Sequence, residues 1–317
     1  MAASEIALVV AFDTLGPERG FWGEAWGRLK HNRVAMVSLV VIVLFVLLAI
    51  LAPLVAPYNY ADGNLLHVTE GPSPAHLLGT DDEGRDILSR LLYGARVSLA
   101  VAIAAQAVIL LVGVPVGLLT GYVGGWLDLI LMRIVDAVYA LPNLLLAILI
   151  MSMLRSNISE SARITPTLLT VLDQFSGGLI GIFIVLCVTH WLTVSRLVRG
   201  QTLTAKEREY VDAARALGAS HRRIVLTHIL PHVMSPVIVA ATFGVPGAIM
   251  LEAGLSFLGI GVNPPIPSWG LMISDGLANL QSHPHMLTPP ALALAFTLLA
   301  FTFLGDGLRD AMDPRMK

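Results

Sequence analysis

Charge and sulfur are what this chain of 317 residues has least of. Only 13% of its residues are Asp, Glu, Lys or Arg, where soluble globular domains carry about 25%. The single cysteine, Cys187, sits in an apolar run. That excludes a disulfide framework and a cysteine metal cluster, and a buried, inert thiol is expected. Three lysines are present, Lys30, Lys206 and Lys317, and none stands in a G-x-x-x-x-G-K-[ST] loop; the chain therefore has no phosphate-cradling motif of that kind. Residues 1–20 lack the positive start of a signal peptide and read as a cytosolic tail. Apolar residues, in contrast, make up 56% of the chain, and the mean hydropathy is +0.76. Such a composition points to lipid as the main solvent.

Six runs are long and apolar enough to cross about 30 Å of hydrocarbon, which takes roughly 20 helical residues. They lie near 34–56, 97–122, 127–154, 178–198, 234–260 and 289–308. Backbone groups in lipid must pair within their own segment, so all six are expected to be helices and the fold all-α. The third run is the least regular: Asp128, Arg133 and Asp136 occupy its first half, and Pro142 is a candidate kink. Arg133 and Asp136, three apart, are expected to form a local pair. Before the first run, FWGEAWGRLKHNR (21–33) reads as an amphipathic stretch for the interface, with Phe21, Trp22 and Trp26 near one face.

The distribution of cations sets the expected orientation. Four Lys or Arg precede the first run, seven lie between 196 and 232, three follow the last run, and Arg133 adds one more. The opposite side keeps five: Arg85, Arg90, Arg96, Arg155 and Arg163. The positive-inside rule then puts both termini and the 209–232 segment in the cytosol, with 57–92 and 155–177 as external polar loops.

The basic segment EYVDAARALGASHRRIVLTHILPH (209–232) is the densest polar feature on the cytosolic side. Over 205–217 good helix formers dominate, with Tyr210, Ala213, Ala214 and Leu217 at helical spacing. Gly218 stands where a helix ends in a left-handed residue, and Ser220 is a candidate N-cap for a second helix that Pro231 ends or kinks. Three roles fit these residues: a basic loop that fixes topology, a DNA-binding helix pair, or a docking element for a cytosolic protein. The flanking spans leave little freedom to enter a major groove, which disfavours DNA.

The run Asp212-Ala213-Ala214, three residues, Gly218, and later Leu230-Pro231 resembles the Glu-Ala-Ala loop of ABC importer permeases, with Asp in place of Glu and His228 at the usual Ile position. GTDDEGRDILSRLLYGARVSL (79–99), EAGLSFLGIGVNPPIPSWG (252–270) and LGDGLRDAMDPRMK (304–317) resemble, in the same order, segments of the dipeptide/oligopeptide/nickel permease family, and most nearly its second permease subunit type. The resemblance implies a type I ABC importer permease-like fold with six transmembrane helices in the cytoplasmic (inner) membrane. It implies a cytoplasmic segment 1–33, a first helix and external loop over 34–92, and a permease core over 93–317 with a coupling loop at 199–232. It further implies a homologous second permease, two cytosolic ATPases and an external binding protein. ATP and Mg would be used by the ATPases, with no cofactor in this chain. The residues Asp212, Ala213, Ala214, Arg215, Ala216, Leu217, Gly218, Ala219 and Ser220 would form the coupling element, with Arg222 and Arg223 able to pair with carboxylates of the partner. Di- or oligopeptides are the implied cargo, with nickel or another small solute as the alternative.

Glu252 is an acid inside an apolar run, so a translocation-path or gate role stands beside a structural pairing with a neighbouring helix. Asp81, Asp82, Arg85 and Asp86 form either a binding-protein dock or a solvated loop, with a turn at Gly79 and a helix beginning near Thr80 or Asp81. NPPIPSWG (263–270) reads as a rigid external turn. His228 and His232 are separated by Pro231, and His283 and His285 flank a proline; neither pair makes a metal site. An intramembrane protease lacks its motifs here: Phe303 fills the first glycine position before Asp306, and no Gly-x-Ser-Gly lies in a span. An ion-coupled secondary transporter would be expected to show internal repeats of interrupted helices, and none is evident.

Overall fold

The computed structural model describes residues 21–164 and 177–313. The tail 1–20, the 165–176 part of the expected external loop, and residues 314–317 lie outside the described residues. Among the described residues the regular structure is all helical, apart from one isolated bridge between Thr80 and Asp86. The order is α1 (Phe21–His31), α2 (Arg33–Val55), α3 (Ile87–Val123), α4 (Gly125–Tyr139), α5 (Asn143–Ile164), α6 (Leu179–Lys206), α7 (Glu209–Ala216) and α8 (His221–Arg223), then a π-helical stretch Ile224–Ile229, α9 (Leu230–Phe257), α10 (Trp269–Ala278) and α11 (Thr288–Met312). Among the described residues five segments are long and apolar enough to cross a membrane, and a sixth crossing would be the bent pair of α4 with Asn143–Arg155.

That pair turns by 89° at residues 140–142. Pro142 has no N–H to donate and disfavours helical backbone in the residue before it, so the expected kink is a full break. The helix after it continues to Ile164, past the expected limit at 154. Asp136 does not pair with Arg133: its Oδ1 accepts from Arg196 of α6 at 2.5 Å, and Arg196 also lies over the Tyr139 ring. Cys187 is half-buried on α6.

Three other boundaries differ from expectation. α3 begins at Ile87, capped by Asp86, whose carboxylate accepts from the Ser89 backbone N–H at 2.8 Å. Thr80 and Asp81 belong to the preceding turn, which begins at Gly79 with φ +84°. The 205–217 helix is divided, since α6 runs to Lys206 and α7 starts at Glu209. Pro231 neither ends nor breaks its helix. Just before it the backbone widens, with the Leu230 N–H donating to the Val225 carbonyl five residues back. The proline then falls in the first turn of the resumed α-helix, where a missing N–H costs nothing.

The central seam joins α3 and α6. Gly113, Gly117 and Gly121 of α3 face Val194, Val198 and Thr202 of α6 in matching steps, so the two helices run parallel. A Cβ at Gly117 would lie 2.5 Å from the Val198 Cβ and 2.6 Å from the Ser195 carbonyl oxygen. Lipid supplies no hydrophobic drive between helices, and small residues that let backbones approach take its place. α3 is 37 residues long, about 55 Å at 1.5 Å per residue. It therefore outreaches the hydrocarbon at its ends. One end lies under the 57–86 segment, hereafter the cap; the other meets the 207–220 turn.

α2 packs antiparallel on α11, with Ala35 against Gly307. α1 buries Leu29 against Ala35 and Ala311, while Trp22 and Trp26 face outward.

Gly117→Val should lower stability by about 1–3 kcal/mol through overpacking, read as a lower melting temperature in detergent. Gly200→Ala, where a Cβ meets nothing within 4 Å, should leave the melting temperature unchanged or slightly raised. Equal melting of the two variants would remove the seam from its central role.

Candidate functional site

The turn between α6 and α9 is built from helix-terminus chemistry. α7 stops in a Schellman motif: the Ala219 N–H donates to the Ala214 carbonyl at 3.0 Å and the Gly218 N–H to the Arg215 carbonyl at 2.9 Å. Gly218 has φ +78°, a conformation that costs glycine nothing. Ser220 then caps α8, its hydroxyl accepting from the Arg223 N–H at 3.4 Å. Val211 and Ala214 turn inward to the bundle core with Ile224. Asp212, Ala213, Arg215, Ala216, Leu217 and Gly218 face outward, and Leu217 is 89% exposed. The expected apolar face is thus divided: Ala214 is inside, whereas Tyr210, Ala213 and Leu217 are on the surface. The Asp212–Arg215 pair at 2.9 Å is exposed and holds little.

Side chains anchor this turn to the far end of α3. The Lys206 Nζ donates to the Gly121 carbonyl at 3.1 Å, and the Tyr122 hydroxyl and His221 Nδ1 are 2.7 Å apart. Arg199 of α6 holds Asp128 of α4 through two nitrogens at 2.5 and 2.6 Å. Beside the turn opens a cavity of about 1040 Å³, lined by Gln201, Tyr210, His228, His232 and Arg309 among others. Groups of three or more metal-ligating side chains are absent among the described residues.

Toward the cap end, Glu252 of α9 is 1% exposed. Ser98 of α3 donates to its Oε2 at 2.9 Å and Ser256 to its Oε1 at 2.8 Å. The Ser256 hydroxyl also accepts from the Val262 N–H at 3.2 Å and lies 3.4 Å from the Ser268 hydroxyl, which caps α10. The following residue, Trp269, is fully buried, and its indole donates to the Leu91 carbonyl at 3.2 Å. One carboxylate thus joins α3, α9 and the start of α10. Glu252 does not line the large cavity by the turn.

The cap closes over the start of α3 with a buried ionic cluster. Arg85 Nε donates to Asp81 Oδ2 at 2.7 Å, and Arg90 reaches the same oxygen at 3.3 Å and Asp275 of α10 at 3.7 Å. Burial pushes the Asp275 carboxyl above the ordinary aspartate range, while Arg90 pulls it down. Asp86 is occupied by the α3 cap and by His76 Nδ1 at 3.0 Å. Asp81, Arg85 and Asp86 are therefore turned inward, and Asp82 and Glu83 remain at the surface. In the 263–270 stretch the Pro264–Pro265 peptide is cis.

Known proteins match the sequence of this chain along nearly its whole length. The family described as "Binding-protein-dependent transport system inner membrane component" matches residues 113–317, and "N-terminal TM domain of oligopeptide transport permease C" matches 20–72. The chain belongs to this family of inner membrane transport components. It is 42% identical to the oligopeptide transport system permease protein OppC of Bacillus subtilis, over 93% of this chain and 90% of that one. The dipeptide permease protein DppC of Alkalihalophilus pseudofirmus is 40% identical over the same shares. The glutathione permease protein GsiD of Pectobacterium atrosepticum is 38% identical over 93% of this chain and 92% of its own.

Within this permease the residues singled out from sequence form separate groups. Asp212 to Ser220 lie together at the turn end with all but Ala214 at least partly exposed, whereas Glu252 and the Asp81–Asp86 group lie toward the cap end. Sequence reading missed the partners that give these residues their setting: Ser98, Ser256 and Ser268 around Glu252, and Arg90 and Asp275 beneath the cap. Ser98 and Ser268 lie far from Glu252 or in another element and carry no local signal, whereas Ser256, four residues on along the same helix, was within reach of the helical spacing. The four-residue glycine spacing on α3, in contrast, was available to find the seam.

Glu252→Ala leaves the Ser98 and Ser256 hydroxyls without their acceptor and should cost about 1–3 kcal/mol, seen as a lower melting temperature in detergent. Glu252→Gln keeps an acceptor and the volume, so it should melt near wild type and leave the relative uptake of different solutes unchanged. A shifted uptake ratio in the Gln variant would instead assign Glu252 to the pathway.

Proposed function

We propose that this chain is the permease subunit of an ATP-driven importer of di- and oligopeptides, with the 207–223 turn as its coupling element. The observation that carries the coupling role is the turn itself: an apolar side chain, Leu217, projects almost fully exposed from a helix end fixed by the Gly218 Schellman motif. Arg215, Arg222 and Arg223 flank it, exposed. An exposed leucine ringed by arginines suits an apolar pocket edged by carboxylates, the kind of central anchor on which interfaces depend.

The partner on that side would be one of two ATPases, since this chain carries no P-loop of its own. A homologous second permease would complete the pathway, and an external binding protein would deliver cargo at the cap end, where Asp82 and Glu83 are the exposed acids, both within ion-pair reach of Arg85. The cation distribution supports placing the turn and both termini in the cytosol. Peptide cargo is supported by the relatives, whose names specify oligopeptide, dipeptide and glutathione transport. Nickel has no comparable support.

Gly218→Pro removes the N–H bonded to the Arg215 carbonyl and demands a φ near −65° where the backbone has +78°. It should abolish ATP-driven peptide uptake by the complete complex in proteoliposomes while membrane insertion persists. Leu217→Asp should lower co-purification of the ATPase by at least about tenfold, as loss of a central anchor does. Normal uptake and normal co-purification in both variants would overturn the coupling role.

A further inference from the structure

A second cavity, of about 320 Å³, lies at the cap end and belongs to none of the groups above. Separate segments line it: Tyr60 from the cap, Tyr93, Arg96 and Val97 from α3, and Ile266 and Pro267 from the stretch before α10. The rings of Tyr60 and Tyr93 meet at 4.6 Å between centroids. Arg96 stands three residues after Tyr93, hence on the same helix face.

The chemistry of this pocket is unbalanced. Arg85 is held by Asp81 and Glu83, Arg90 by Asp81 and Asp275, and Arg155 by the carbonyl groups of Gly259, Gly261 and Asn263. Arg96 has no carboxylate within ion-pair reach among the described residues, and neither phenol at the pocket has a hydrogen-bond partner there. Arg96 is exposed, so water serves its guanidinium while the pocket is empty, and its donors stand open to an incoming acceptor. Its planar fork matches a carboxylate in two-point fashion. The tyrosine rings, Val97, Ile266 and Pro267 add apolar surface around it. The volume lies at the lower end of small-ligand pockets, about 300 Å³, which suits the end of a peptide and not a long chain.

We infer that this cavity is a carboxylate subsite on the cap side, where Arg96 takes the C-terminal carboxylate of an arriving peptide and Tyr60 and Tyr93 flank its last side chain. The inference rests on the peptide-import reading above. Every linear peptide with a free terminus carries that carboxylate whatever its sequence, so the subsite tolerates varied cargo while gripping one constant group. A lipid phosphate shares the anionic chemistry, and the test separates the two.

The measurement is initial uptake of dipeptides by the complete complex, with its second permease, ATPases and binding protein, in proteoliposomes. Arg96→Gln should raise KM for an alanyl-phenylalanine dipeptide about tenfold, the loss expected for a hydrogen bond to a charged group, with the maximal rate retained. Arg96→Lys should recover most of that loss. Tyr93→Ala should raise KM more for a peptide ending in Phe than for one ending in Gly. Unchanged KM in Arg96→Gln, or a lower maximal rate with KM unchanged, overturns the subsite. An effect present with phosphatidylglycerol and absent in purely zwitterionic lipid assigns Arg96 to a lipid headgroup and overturns it as well. A wild-type complex that hydrolyses ATP yet imports no peptide defeats the peptide reading, and the subsite with it.

Discussion

The packing of α3 on α6 is the contact on which the rest of this molecule depends. Between helices in lipid there is no water to expel, so association rests on how closely two backbones can approach. Gly113, Gly117 and Gly121 remove three side chains from α3, and Val194, Val198 and Thr202 fill the groove that results. Because the matching steps run in the same direction, the start of both helices lies at the cap end and the finish of both at the turn end. Lys206 therefore arrives beside the Gly121 carbonyl, and α7 begins from a position already fixed by the seam. The turn is exposed in its side chains but not free in its placement.

The two ends of α3 are secured by different chemistry. At the turn end the ties are single hydrogen bonds at half-exposed positions, those of Lys206 and of the Tyr122–His221 pair. At the cap end they are buried: Asp81 shared between Arg85 and Arg90, Asp86 at the helix N-terminus, and Ser98 on Glu252. Removing one member of a buried, hydrogen-bonded set leaves its partners unsatisfied, whereas a half-exposed bond is readily replaced by water. The polar ties at the cap end are accordingly the costlier ones to break, whereas the turn end is held mainly by packing, at Gly121 against Thr202 and through buried Val211 and Ile224.

How much of this was legible in the sequence depends on the range of the signal. Spans follow from local hydropathy, and the turn follows from Gly218 and Ser220, because caps are written in the residues that form them. Long-range pairing is not written locally. Asp136 finds Arg196, sixty positions away, and not the neighbouring Arg133, because the pair to α6 also stacks Arg196 on Tyr139. The start of α3 was misplaced because Thr80 and Asp81 look like caps, yet Asp81 is already committed to Arg85 and Arg90. Pro231 reads as a helix end only while an α-helical register is assumed, and the wider π turn removes the conflict. Of the four residues at helical spacing on α7 only Ala214 turns inward, beside Val211, which is unremarkable next to the alanines in sequence yet reaches the core.

The geometry also fixes where a displacement of the turn must go. α7 is held through Val211 and Ala214 to the bundle core, and it is continuous with α6 except at residues 207–208. α6 in turn grips α4 twice, Arg199 on Asp128 and Arg196 on Asp136. α4 is bounded by two breaks, the left-handed Gly124–Gly125 pair before it and residues 140–142 after it. A Cβ at Gly124 or Gly125 would meet nothing within 4 Å, so those glycines serve backbone conformation and not close packing. Backbone breaks absorb rotation, while paired helices move as one body. A displacement of the turn would therefore be borne first by α6 and by the α4 segment clipped to it through Arg199 and Arg196.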